Sequence, residues 1–96
     1  MRLYISIPYK GDDKEFAERS IAAHNKYDAQ DVRVITSHDV TDPASPTETM
    51  VGKRIEALLT CESAVFAFGW PQTLECQLEF DACNRYGIPY KTDVHI

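Results

Sequence analysis

The sequence predicts an α/β fold, a small Rossmann-like doubly wound parallel sheet with the order β-α-β-α-β-α-β. Three observations predict it. Short apolar runs rich in β-branched and aromatic residues recur at 2–7, 32–36 and 63–68; segments of helical period separate them; and connections that contain helices require parallel strands joined by right-handed crossovers. With 96 residues there is room for one hydrophobic core, so the whole chain, 1–96, is read as a single domain.

Arg2 to Ile7 (RLYISI) is the first strand, ended by Pro8. Asp12 followed by Glu15 has capping-box spacing, and Phe16, Ala17, Ile21, Ala23 and Tyr27 recur at near-helical intervals, which predicts a helix over Asp13 to Tyr27. Val32 to Thr36 alternates Val32, Val34 and Thr36 with Arg33 and Ile35, as a strand near a sheet edge does. After a polar loop, Ser45-Pro46-Thr47-Glu48 combines an N-cap serine, a proline at the first helical position and a glutamate at the third. The helix it opens runs to about Thr60, with Met50, Val51, Ile55, Leu58 and Leu59 as its apolar stripe and Lys53, Arg54 and Glu56 expected in solvent. Ser63 to Phe68 (SAVFAF) is apolar enough to be covered on both faces. Gly69 to Gln72 break the chain, Thr73 to Tyr86 form the third helix, Gly87 ends it, and Ile88 to Tyr90 make a short last strand.

Composition narrows the function. A net charge of −5 disfavours nucleic-acid polymers and anionic membranes as partners, because both require a basic face. A small anion can still be held locally by backbone N–H groups at a helix start. No run approaches the length of a membrane span, and Met1-Arg2 leads directly into a strand, so a cytoplasmic protein is expected. Cys61, Cys76 and Cys83 form no C-x-x-C pair and read as buried thiols; no metal site or cofactor is implied.

Ligands of doubly wound sheets sit beyond the carboxyl ends of the strands, where strand order reverses. That edge carries Ile7, Pro8 and Lys10, the loop with His38 and Asp39, and Gly69, Trp70 and Thr73. Glu75 and Glu79, four residues apart on the third helix, project from one face near its start. Paired helical glutamates are usually a solvated face, so the pattern alone assigns them nothing.

One further pattern runs through most of the chain and is strongest over 58–89. It comprises Tyr4 in LYISIP, Cys61-Glu62-Ser63-Ala64-Val65 before a Gly69-Trp70 turn, then Thr73, Glu79 and Gly87-Ile88-Pro89. This resembles the nucleoside 2-deoxyribosyltransferase-like superfamily, and within it a short branch with Y-I-S-G-P and W-x-x-S-x-G-A-x-x-E patterns. The resemblance implies Glu79 as the nucleophile that attacks the anomeric carbon of a nucleoside or deoxynucleotide and expels the base, by the two-step logic of retaining glycosidases. It implies Tyr4 as the group that orients this carboxylate, and Thr73 as a hydroxyl close to a 5′-phosphate. Read from the residues, Tyr4 is equally a core aromatic, Thr73 a plain N-cap, and Trp70 either an apolar wall for a base or a packing residue on a neighbouring subunit. Lys10 is either a phosphate contact or a surface lysine.

The departures are specific. Ile7 stands where the family ends its first strand in glycine, and its side chain is expected to crowd the substrate's approach. Glu75-Cys76 replaces Gly-Ala ahead of the glutamate. Arg54 occupies the place of the aspartate that handles the proton of the leaving base, and an arginine is no general acid near neutral pH. Two readings therefore stand: an N-glycosidase or deoxyribosyltransferase acting through Glu79, or a catalytically silent nucleotide-binding module of the same fold. A domain this small also leaves apolar surface to cover, so a homodimer through the second and third helices is expected, with Trp70, Phe80 and Tyr86 as candidates for its surface.

Overall fold

The computed structural model describes residues 1–42 and 47–96, the side chains of 47–49 excepted. It contains β1 (Arg2–Ser6), α1 (Asp13–Tyr27), β2 (Arg33–Thr36), α2 (Thr47–Leu59), β3 (Ser63–Ala67), α3 (Leu74–Tyr86) and β4 (Tyr90–Asp93), with a 3-10 turn at Trp70–Gln72. All three strand pairings are parallel and the sheet order is β2-β1-β3-β4. This is the small Rossmann-like doubly wound fold. The strand order reverses between β1 and β3, which puts the switch point beyond Ser6 and Ala67.

Period-two alternation along β1 divides the interior into two layers. Leu3, Ile5 and Ile7 pack with Val34, Val65 and Ala67 against Phe16 and Ala23 of α1. Tyr4 faces the other way, with Ala64 and Phe66, against Leu58 of α2 and Ala82 and Cys83 of α3. All three cysteines are free and buried.

Helix α1 begins as its capping box predicts: Asp12 Oδ1 accepts from the Glu15 N–H at 3.1 Å. Its buried face differs from the predicted stripe, since Ile21 is 61 % exposed while Ser20 is buried. A polar pair explains the difference, because the Ser20 and Thr36 hydroxyls lie 2.7 Å apart and satisfy each other between α1 and β2. The start signal at 45–48 lies outside the described residues. Helix α3 ends at Gly87, whose φ of 68° is the left-handed conformation that glycine adopts without strain.

The last strand lies later than expected, at Tyr90–Asp93 rather than Ile88 to Tyr90. Ile88 is used in closing the helix, its N–H bonded to Cys83 O at 2.9 Å, and Pro89 O accepts from the Ala64 N–H at 3.0 Å, so the ladder starts at Tyr90. The strand YKTD is an edge strand with three exposed residues, and its composition therefore carries no hydrophobic signal.

Asp93 anchors that edge strand to α1. Its Oδ2 accepts from Lys26 Nζ and from the Tyr27 hydroxyl, each at 2.5 Å, and Oδ1 accepts from the His95 N–H at 2.9 Å. These donors hold the Asp93 carboxyl well below the usual carboxylate range. Partial burial and the Asp93 contact push the Tyr27 phenol up to about 12. A depressed folded pKa contributes stability that is present above the unfolded value of about 3.9 and is lost as pH falls toward the folded value. Asp93→Asn should therefore lower stability by about 1–3 kcal/mol at neutral pH. In thermal melts, the gap between the two proteins should close as pH drops below about 4.

Candidate functional site

The sheet layer that faces α2 and α3 holds a buried polar cluster. Tyr4 and Ser6, two apart on β1, point into this layer; Arg54 enters it from α2, and Cys76 and Glu79 from α3. Arg54 Nη2 donates to Glu79 Oε1 at 2.5 Å, and the two side chains are 5 % and 1 % exposed. Ser6 Oγ donates to the same oxygen at 3.3 Å, and Arg54 Nη2 also lies 3.7 Å from Cys76 Sγ.

The expectation that Arg54 faces solvent is thus overturned. Met50, Arg54 and Leu58, spaced by four, form the buried stripe of α2, while Leu59 is 43 % exposed. Arginine is admitted to that stripe because Glu79 stands opposite it, a charge-assisted contact that offsets the removal of both ions from water.

The electrostatics follow from burial and from this pair. Burial raises the Glu79 carboxyl above its ordinary pKa, while Arg54, Tyr4 and Ser6 pull it back. Burial also works against the Arg54 charge, but the Glu79 carboxylate outweighs it and the guanidinium is held more firmly protonated than usual. Arginine does not release its proton in proteins, so Glu79 must be ionised for the pair to be neutral. Burial, and then the Glu79 charge, push the Tyr4 phenol well above its ordinary value and the Cys76 thiol up as well. Tyr4 and Cys76 therefore remain protonated.

Several polar atoms of this region lack a hydrogen-bond partner: the Tyr4 hydroxyl, Arg54 Nε, Glu79 Oε2 and Thr73 Oγ1. The Tyr4 hydroxyl lies beside both Glu79 and Arg54 and interacts with each, contributing to their shifts, although neither contact has full hydrogen-bond geometry. Arg54 and Ser6 both hold Glu79 through Oε1.

The other sequence-selected residues fall into three places. Ile7 and Pro8 are fully buried, and Ile7 packs in the α1 layer, on the face of the sheet opposite Glu79. Ser6 is the β1 residue that meets the carboxylate. Lys10 and Gly69 meet at the switch point. Gly69 has φ 85°, and a Cβ there would lie 3.0 Å from Lys10 Nζ, so both the backbone conformation and the lysine's approach favour glycine. Thr73 caps α3 by position alone, without a side-chain bond to the helix, and Glu75 is half-buried in the first turn.

Trp70 packs on its own chain, 5.3 Å from Phe66 and 4.6 Å from Phe80 between ring centroids, and Phe80 in turn stacks edge-on with Tyr90 at 4.8 Å. Trp70 and Gly69 also line a cavity of about 350 Å³ beyond the ends of β3 and β4, whose lining includes neither Tyr4 nor Glu79. His38 and Asp39 shape the turn after β2. Asp39 accepts from the Thr36 N–H at 2.9 Å and contacts His24 Nε2 at 2.7 Å, and the His38 ring packs edge-on against Phe16.

Ser6 and the Arg54 contact were missed from sequence. The alternation of β1 already put Ser6 on the Tyr4 face, and the spacing of four already aligned Arg54 with Met50 and Leu58. No family model matches the sequence, and no curated protein matches it significantly. No helix among the described residues is long and apolar enough to cross a membrane, and no group of three or more His, Cys, Asp or Glu among them is placed to hold a metal ion.

Breaking this pair from one side should be far worse than removing it. Glu79→Ala strands a buried guanidinium and should cost about 3–5 kcal/mol, whereas the double change Arg54→Met with Glu79→Leu should recover most of that loss. Urea denaturation of the three proteins measures both. A Glu79→Ala cost below about 1 kcal/mol would show that the pair is open to water.

Proposed function

We propose that the chain binds a nucleoside or nucleotide at the carboxyl edge of its sheet and that Glu79 is the nucleophile of an N-glycosidase or deoxyribosyltransferase reaction. The observation that carries this reading is the asymmetric restraint of Glu79. Oε1 is fixed by Arg54 and Ser6, while Oε2 is unpartnered. An attacking carboxylate needs to be ionised, fixed in orientation and left with one lone pair free, and Arg54 supplies the first two conditions. The resemblance of the Tyr4, Thr73 and Glu79 positions to the deoxyribosyltransferase-like superfamily supports the same assignment.

In the proposed reaction, Glu79 Oε2 bonds to the anomeric carbon as the bond from that carbon to the base nitrogen breaks, and the electron pair leaves with the base. Water then cleaves the glycosyl ester in hydrolysis, or a second base does so in transfer. Tyr4, beside the carboxylate, limits its rotation. Lys10 at the rim and the first turn of α3 suit a 5′-phosphate. With arginine at position 54 no acid stands there to protonate the leaving base, so turnover should be slower by about 10² to 10⁴ than with an acid in place.

The 1 % exposure of Glu79 favours a second reading, a binding module in which the Arg54–Glu79 pair is purely a strut between helices. Single-turnover assays of base release from deoxynucleosides and their 5′-monophosphates separate the two. The enzyme reading expects slow release that Glu79→Gln reduces by several powers of ten, with circular dichroism confirming that the variant is folded. Ligand that raises the melting temperature without any base release would leave only the binding module. We propose further that the chain acts as a homodimer, in which the exposed Leu74 and Tyr86 of α3 find cover.

A further inference from the structure

Strand β4 ends the sheet order on one side, and Tyr90, Lys91 and Thr92 along it are exposed. Its ladder with β3 decides which of its backbone groups are already used. Ala64, paired with Tyr90, donates its N–H to Pro89 O at 3.0 Å. The alternation of a parallel ladder then turns the N–H groups of Lys91 and Asp93 toward β3, and the N–H and C=O groups of Tyr90 and Thr92 outward. Such an edge is a template for another strand.

The side chains along this edge complement one another. Lys91 Nζ rests 5.1 Å from the Tyr27 ring centroid and has no carboxylate partner among the described residues. Asp93 accepts from three donors, Lys26, Tyr27 and the His95 N–H. A carboxylate offers about four acceptor positions, so one is open. Tyr90 is 41 % exposed, and Val94, the residue after the strand, is 64 % exposed.

Two antiparallel copies can pair only where outward backbone groups meet outward backbone groups, and two registers do so with wide overlap. Centred on Lys91, a two-fold axis sets the lysines of both copies against each other at the closest side-chain spacing, where like charges repel. Centred on Thr92, the axis sets Thr92 against the partner's Thr92, Lys91 against the partner's Asp93, and Tyr90 against the partner's Val94. Charge selects the second register, and that register also covers exposed apolar surface.

We propose that two copies of this chain join through β4, antiparallel about a two-fold axis at Thr92, into one continuous sheet. The contact is isologous, so the Lys91–Asp93 and Tyr90–Val94 pairings each occur twice. The proposal rests on the homodimer reading above and names the edge that forms it.

Sedimentation equilibrium measures the association, and amide hydrogen exchange locates it. The expected result is a monomer–dimer equilibrium in which the Tyr90 and Thr92 amides gain protection as protein concentration rises. Thr92→Pro removes an N–H that β3 does not use, so the monomer keeps its ladder while the dimer weakens by about 10²-fold. Lys91→Asp sets carboxylate against carboxylate at both symmetric positions and weakens it by about tenfold or more. A dimer that Thr92→Pro leaves intact, with the Tyr90 and Thr92 amides unprotected at every concentration, overturns the edge contact and assigns the homodimer to the helices. A protein that stays monomeric at about 1 mM overturns both.

Discussion

The buried contact between Arg54 and Glu79 is the constraint around which the layer between the sheet, α2 and α3 is arranged. It joins α2 to α3 above the sheet, and it is enclosed with Leu58, Phe66 and Cys76 in the same buried layer. Each ion has lost its water, so neither is tolerable without the other, and the helix spacing that brings Nη2 to 2.5 Å of Oε1 is thereby fixed. A hydrophobic pair of the same volume would hold the helices at least as firmly. What a hydrophobic pair cannot do is set the orientation of a carboxylate, and orientation is what chemistry or selective binding at Glu79 requires.

The sheet places the third partner. Because side chains alternate along β1, Tyr4 and Ser6 meet Glu79 while Ile5 and Ile7 seal the α1 layer on the opposite face. A one-residue slip in β1 would exchange these sets, burying Ile5 against the ion pair and turning Ser6 toward Phe16. The parallel pairings to β2 and β3, and the Ser37 hydroxyl bonded to both the N–H and the carbonyl of Ile7, hold the register at the end where the cluster lies. The site thus depends on the strand ladder as much as on the helices.

How much of this was legible in the sequence differs from element to element for physical reasons. β1 and β3 are buried on both faces and announce themselves by composition. α1 announces itself by its cap, and α3 by its terminal glycine. β4 is polar because it lies at the edge, so hydropathy misplaces it and only the ladder with β3 defines it. Ile21 and Ser20 trade places because a hydroxyl pair with Thr36 is invisible to a hydrophobic pattern. Arg54 was misread because charge was weighed above position: its alignment with Met50 and Leu58 marks it as buried, but the burial makes sense only once Glu79 is known to face it. Glu79 itself stood out through the resemblance and not through its spacing from Glu75, which the structure leaves in the first turn of α3 outside the ion pair.

Charge also divides the site into two zones. The enclosed cluster is neutral as a pair, and an ionised Glu79 makes it a poor place for a phosphate, whose oxygens would meet the carboxylate at low dielectric. Lys10 is exposed at the switch point and approaches Gly69, and the first turn of α3 presents backbone N–H groups that the Thr73 side chain does not cap. The nucleotide of the proposed function would accordingly place its phosphate at the rim and its anomeric carbon toward Glu79. The net charge of −5 does not exclude an anionic ligand there, because the attraction that Lys10 and the start of α3 would supply is local.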